Sequence, residues 1–263
     1  MLSDQDFRML LEHFDRPWSG YRKVRKGVKK RLRRHMNQLG CTGIDAYLQK
    51  LKHSPDHNAV AEQCLRVTIS RFFRDRGLWR FLHRELFPEI RGDLKTPIRI
   101  WSAGCAGGEE PYSITVTWVN LFGTWNLDIL ATDVQAACLD RAKAGIYTAS
   151  SLKEVPSHLR SAFFEPLRKK RRWRIRQSKL PQIRWEQHHL FDPPPEGSFH
   201  VIFLRNSLLT YHQGSLLRST LSGILSTLNS GGYFIVGSHE TVPSSFPNLS
   251  RIENCPWVYR LTA

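Results

Sequence analysis

Hydrophobic positions along the chain change their period near residue 90. Before that point apolar residues recur at intervals of three and four, most clearly Tyr21, Val24, Val28, Leu32, Met36 and Leu39, the spacing of a helix with one apolar stripe. Gly40 follows as a stop signal. Beyond residue 90 the pattern turns to short apolar runs at Ile98 to Ala103, Leu127 to Thr132, Ile183 to His188, Phe199 to Leu204 and Tyr233 to Gly237. Helical stretches at Glu109 to Phe122, Gln135 to Ala144 and Gln213 to Leu228 fall between most of them. Strands joined by helical crossovers predict a mostly parallel sheet covered on both faces. The expected organisation is a helical domain over 1–88 and an α/β domain over 89–263, divided near the Pro- and Gly-containing segment from Phe87 to Pro97. Between Phe163 and Trp185 the pattern breaks, and Trp173 and Ile175 alternate with arginines. That alternation predicts an inserted hairpin with one basic face.

The first predicted strand runs through Trp101-Ser-Ala-Gly-Cys-Ala-Gly-Gly-Glu-Glu-Pro-Tyr-Ser113 into a helix. Gly104, Gly107 and Gly108 let the backbone take positive φ and approach a bound molecule closely. A phosphate cradle spends its helix N-terminus on an anion, whereas Glu109 and Glu110 repel one. The turn therefore suits a cationic ligand, and S-adenosylmethionine carries both an ammonium and a sulfonium. The alternative is a plain strand-to-helix turn with Glu as favourable first-turn residues. Asp133, at the end of the second predicted strand, is placed to accept both ribose hydroxyls or to cap the helix that follows.

Composition narrows the picture. At 263 residues and 41% hydrophobic the chain can bury a substantial core, and it has no run of about eighteen apolar residues such as spans a membrane. Neither a signal peptide nor membrane insertion is expected, and a cytoplasmic location is. Five scattered cysteines without C-x-x-C spacing suggest neither a disulfide framework nor a zinc site. His188 and His189 are adjacent on a strand and so point to opposite faces, and no metal is expected. The formal net charge of +16 implies an acidic or polyanionic partner. Nine of the fourteen residues from Tyr21 to Arg34 are Lys or Arg, giving the first long helix a basic face, either a docking surface or a solvated one.

The ordered series Ser70-Arg-Phe-Phe-Arg-Asp75, Trp101 to Ser113, Ala131-Thr-Asp133, Ala142-Lys-Ala-Gly-Ile-Tyr147, Phe203-Leu-Arg-Asn206 with Tyr211, and Gly231 to Gly237 resembles the CheR family of chemotaxis-receptor methyltransferases. The resemblance spans nearly the whole chain. It implies a class I S-adenosylmethionine-dependent methyltransferase fold with a small N-terminal all-helical domain and a short inserted β-subdomain. It also implies esterification of glutamates on a methyl-accepting receptor. On that resemblance Gly104, Glu109, Asp133, Arg205 and Asn206 hold the cofactor, with Thr68, Ser70 and Arg74 reaching it from the interdomain segment. His189 and Leu190 stand where the family often has Asn-Leu against adenine, and Thr68-Ile-Ser70 where it commonly has Asn-x-Thr. Arg74 and Tyr211 fall beside the transferred methyl as catalytic residues, with pairing of Arg74 to Asp75 and a capping role for Tyr211 as structural alternatives. The family's late Gly-His-Ser-Glu stands here as Gly237-Ser-His-Glu240.

The expected partner is a methyl-accepting receptor or related acidic signalling protein that docks on the basic helix. Two further readings stay open. One is an RNA methyltransferase, in which basic segments interleaved with Trp173 and Trp185 track phosphates and stack bases. The other is a catalytically silent S-adenosylmethionine-binding signalling or scaffold protein.

Overall fold

The computed structural model describes residues 2–92, 96–123, 126–167 and 171–262. They form two compact units, one of residues 1–68 with 209–218, the other of residues 69–208 with 219–263.

The first unit contains α1 (Asp4–His13), α2 (Trp18–Tyr21), α3 (Arg25–Gln38), α4 (Ile44–His53) and α5 (Pro55–Leu65). Ser3 starts α1 with a reciprocal capping box to Asp6, and Ser54 caps α5 ahead of a proline in its first turn, both standard means of satisfying the free N–H groups of a helix start. The stripe predicted from Tyr21 to Leu39 is interrupted: a turn separates Tyr21 from α3, and Gly40 ends the segment at φ +67°. Val28, Leu32 and Met36 of α3 pack with Phe7, Leu10, Tyr21, Tyr47 and Leu51 in the core of this unit.

The second unit begins with α6 (Arg76–Phe81), which continues through a π-helical turn at Leu82–Leu86 into α7 (Phe87–Arg91). The division at Thr68/Ile69 differs from the predicted one near residue 88. The reason is packing, because Phe72, Leu78, Leu82, Leu86 and Phe87 are buried in the same core as the sheet strands.

Among the described residues ten strands form two sheets. The larger has the order β6-β2-β1-β7-β8-β10-β9, from β1 (Ile98–Ala103), β2 (Leu127–Asp133), β6 (Ile183–Gln187), β7 (Phe199–Phe203), β8 (Leu228–Ile235), β9 (Leu249–Ile252) and β10 (Cys255–Leu261). Strands β6, β2, β1, β7 and β8 are mutually parallel, and β10 and β9 add antiparallel. The crossovers are α8 (Glu109–Phe122), α9 (Ala136–Ala144) and, after the short α11 (Leu208–Tyr211), α12 (Gly214–Leu225). Strand β1 is almost wholly buried, as a strand covered on both faces must be.

The inserted sheet is larger at its start and shorter at its end than the pattern indicated. It has the order β3-β5-β4, from β3 (Ile146–Thr148), β4 (Phe164–Leu167) and β5 (Arg172–Ile175), with α10 (Ser157–Phe163) between the first two. The hairpin stops at Ile175, and residues from Ile183 on join the main sheet. Arg172 and Arg174 are exposed while Ile175 is buried, the alternation expected of a one-sided strand. Lys169 and Lys170 of that basic run lie outside the described residues. No helix of the described residues is long and apolar enough to cross a membrane.

Candidate cofactor site

Four neighbouring parallel strands, β6, β2, β1 and β7, deliver the predicted binding residues at their carboxyl ends: His189 and Leu190, Asp133, Gly104, and Arg205 and Asn206. That edge of an open α/β sheet is where ligands bind, because the connecting loops part there.

The turn after β1 is built as a cradle. The N–H groups of Gly104 and Cys105 both donate to the Thr132 carbonyl at 2.8 Å, tying the turn to the end of β2. Gly104, Ala106 and Gly108 all have positive φ, at +82°, +48° and +86°. At Gly108 a Cβ would lie 2.7 Å from that of Ala142 and 3.1 Å from the Tyr147 hydroxyl, so only glycine allows α8 to begin there. Tyr147 in turn donates to the Gly107 carbonyl at 2.7 Å. The Asp133 carboxylate accepts the Ala106 N–H and the Gln135 N–H, each at 2.9 Å. It thereby joins the turn after β1 to the start of α9.

Glu109 opens α8 with 4% exposure. Burial raises its carboxyl above the ordinary value, while the helix-start N–H, Arg141 and a hydrogen bond from Ser70 act in the opposite sense. Its Oε2 is buried without a hydrogen-bond partner. A buried carboxylate oxygen left in that state costs free energy, and a bound ammonium would relieve it. The donor set therefore fits S-adenosylmethionine. Cys105, in the same turn, has its thiol pushed well up by burial and is no nucleophile at neutral pH.

Arg74 sits between two non-glycine residues in the left-handed region, Phe73 at φ +53° and Asp75 at φ +66°, a strained arrangement of the kind that collects at functional sites. Its guanidinium is part-exposed and makes one long contact, 3.5 Å to the Ile69 carbonyl. Asp75 pairs with Arg205 rather than with Arg74. Ser70, Arg74, Glu109, Asp133 and Asn206 all belong to the second unit, whereas Thr68 and Tyr211 group with the first. There the Tyr211 ring packs 5.0 Å from that of Tyr21, and its carbonyl accepts from Arg16 at 3.3 Å. His189 accepts the Phe191 N–H through Nδ1 at 3.3 Å, and Leu190 is half-buried.

The guanidinium of Arg205 has a different setting from that of an open ligand-binding group. It is buried, with Nη1 2.8 Å from Glu110 and Nη2 2.7 Å from Asp75. Sequence reasoning missed this pairing and also missed Glu240, whose carboxylate lies against the backbone of Asn206. The signal was present, since Asp75, Glu110 and Glu240 all lie inside the motifs quoted above. Their partners are 130, 95 and 34 residues away, and no spacing rule reaches that far.

The sheet order and the loop chemistry at its carboxyl edge define a class I S-adenosylmethionine-binding methyltransferase domain. The chain belongs to the CheR methyltransferase family, whose SAM-binding-domain model matches residues 68–259. It is 33% identical over 177 residues to a chemotaxis protein methyltransferase of Listeria innocua, covering 67% of this chain and 66% of that protein. It is 28% identical over 241 residues to chemotaxis protein methyltransferase Cher2 of Pseudomonas putida, covering 87% and 86%. The chain thus spans just under two thirds of the Listeria relative and most of the Pseudomonas one. Among solved structures, N-methyltransferase NodS of Bradyrhizobium japonicum aligns with a TM-score of 0.43 at 13% identity, over 76% of this chain and 92% of that one.

Proposed function

We propose that the protein transfers a methyl group from S-adenosylmethionine to glutamate side-chain carboxylates of a methyl-accepting receptor or related signalling protein, forming methyl esters in the cytoplasm. The buried Oε2 of Glu109 is the observation that carries the cofactor half of this reading. Membership of the CheR family and the part-exposed guanidinium of Arg74 support the carboxylate half.

When bound, S-adenosylmethionine supplies an electrophilic methyl on a sulfonium. Glu109 pairs with its ammonium, Asp133 accepts from its ribose hydroxyls, and Asn206 and Leu190 border it from the ends of neighbouring strands. A glutamate with an ordinary pKa of about 4.3 is already ionised at neutral pH, so the site needs no general base. Arg74 orients the incoming carboxylate through charge-assisted hydrogen bonds, and Tyr211 steadies the approach. Rate then comes from alignment of reacting atoms. Thr68 and Ser70 add hydroxyls to the cofactor's side of the site.

The acceptor docks on α3. Lys26, Lys30 and Arg34 are exposed at four-residue intervals and so form one stripe. Arg25 and Lys29 are paired with Asp4, and Arg31 donates to the carbonyls of Cys64 and Arg66, which leaves those three with structural work inside the unit. The RNA reading loses support because Trp173 and Trp185 both pack against the core, with Arg160 over Trp173 and Tyr112 against Trp185.

The test is transfer of radiolabelled methyl to the proteins and RNA of a lysate of the source organism, followed by mild alkali. Label on protein released as methanol is the expected result. Alkali-stable label, or label on RNA, overturns the carboxylate assignment, and cofactor binding with no label at all indicates a sensor.

A further inference from the structure

The guanidinium of Arg205 lies at the centre of a buried polar network, not in an open part of the site. Its side chain is 4% exposed. Nη1 donates to Glu110 at 2.8 Å, and Glu110 accepts on its other oxygen from Ser102 at 2.8 Å. Nη2 donates both to the Asp75 carboxylate at 2.7 Å and to the Arg74 carbonyl at 3.1 Å. The other Asp75 oxygen accepts from Ser238 at 3.1 Å, and the Arg74 carbonyl accepts again from the Trp79 indole at 2.8 Å. On the other side of Arg74, the Phe73 N–H donates to Ser113 at 3.0 Å.

We propose that Arg205, through Asp75, is a positioning residue that holds the strained Phe73-Arg74-Asp75 segment so that the Arg74 guanidinium faces the incoming carboxylate. Three considerations carry this. The segment occupies left-handed φ on both sides of Arg74, a conformation that unstrained L residues leave unless their surroundings hold them. The Phe73 N–H, the Arg74 carbonyl and the Asp75 carboxylate are each held by groups from α8, α6 or the chain from β7 onward. A planar two-armed guanidinium reaches Glu110, Asp75 and the Arg74 carbonyl together, and an ammonium does not present that fork. The assignment also gives Ser238 a purpose. Where the family often has His, this chain's serine hydroxyl donates to the Asp75 oxygen that Arg205 does not hold. Arg205 therefore acts on transfer through Arg74, not by direct contact of its side chain with the cofactor.

This inference rests on the proposed carboxylate methylation for its kinetic consequence but not for its structural one, and the experiment separates the two. Arg205→Lys and Asp75→Asn are compared with the wild-type protein in three measurements: calorimetric affinity for S-adenosylhomocysteine, kcat and KM for the methyl-accepting protein, and amide hydrogen exchange over residues 70–76. Expected are a fall of about tenfold or more in kcat, the scale of a catalytic group displaced by a fraction of an ångström, with affinity held within about twofold and faster exchange over 70–76. Unchanged exchange and unchanged kcat overturn the proposal. So does a loss of affinity of about tenfold or more at unchanged kcat, which makes the guanidinium a cofactor ligand. Should both variants fail to fold, Ser238→Ala, which removes only the outer hydrogen bond to Asp75, is expected to move exchange and kcat in the same direction by about two- to threefold, and no movement in either overturns the proposal. Faster exchange in variants of a protein that shows no carboxylate methylation leaves the positioning intact and removes the activity reading alone.

Discussion

One carboxylate oxygen of Glu240 accepts the backbone N–H groups of both Asn206 and Gly237, each at 2.7 Å. Asn206 is left-handed at φ +54°, and Glu240 is 5% exposed. The two bonds fix the turn at the end of β7 that carries Asn206. Glu240→Ala leaves two inward-facing N–H groups unpaired, an expected loss of about 2–4 kcal/mol in stability, read by chemical denaturation. Glu240→Gln keeps an oxygen acceptor and is expected to lose less than half of that.

With Glu109 as the proposed partner of the cofactor's ammonium, cofactor affinity is expected to depend on pH. Burial raises the Glu109 carboxyl above the ordinary value, and a cationic ligand binds the ionised form. Affinity is therefore full above the raised pKa and falls as pH drops through it, with a proton released on binding in that window. Calorimetry of S-adenosylhomocysteine binding as a function of pH checks the sign. Glu109→Gln is expected to bind more weakly at neutral pH and to lose the slope, and an equal slope in the variant places the titrating group elsewhere.

Asp133 has a structural role in its two backbone bonds and a proposed role at the ribose, and two variants separate them. Asp133→Ala removes the acceptor of the Ala106 and Gln135 N–H groups as well as the ribose contact, so it is expected to lower stability by about 1–3 kcal/mol and to weaken cofactor binding. Asp133→Asn retains one carbonyl oxygen and is expected to fold better while still binding S-adenosylhomocysteine less tightly. Equal affinity in Asp133→Asn and wild type removes the ribose role.

Arg74→Ala is expected to lower kcat by about ten- to a hundredfold, the worth of a charge-assisted hydrogen bond made in the transition state. Affinity for S-adenosylhomocysteine should change little. Single-turnover rates with saturating cofactor measure the first quantity directly. Unchanged turnover removes Arg74 from the chemistry.

Charge reversal at Lys26, Lys30 and Arg34 is expected to raise KM for the acceptor protein several-fold at low ionic strength, with the difference closing as salt screens the wild-type interaction. Cofactor affinity should stay the same. A salt-independent KM in the wild type counts against α3 as the docking face.

Local chemistry determined a large part of this molecule. The apolar runs and their glycine punctuation place β1 and α8 at the residues where they occur, because a buried parallel strand and a glycine-started helix leave signatures within a few positions. The same turn, read for charge, indicated a cationic ligand, and the place of Asp133 at a strand end made it legible as an acceptor for the backbone of the helix that follows. What lay beyond the sequence involved partners distant along the chain. Strands β9 and β10 join the sheet antiparallel at one end, a pairing set by the tertiary fold, and β3 is only three residues long, too short for its alternation to register. The boundary at Thr68 rather than near residue 88 follows from which core buries Phe72, Leu82 and Phe87, since a helical pattern is the same whichever core it faces. Arg205 was read as a cofactor residue from its motif, and only the fold brings Asp75 and Glu110 to its two arms. A charged side chain's role is decided by what surrounds it in space. For Arg205 and Glu240 those surroundings come from strands, helices and turns that the chain brings together only on folding.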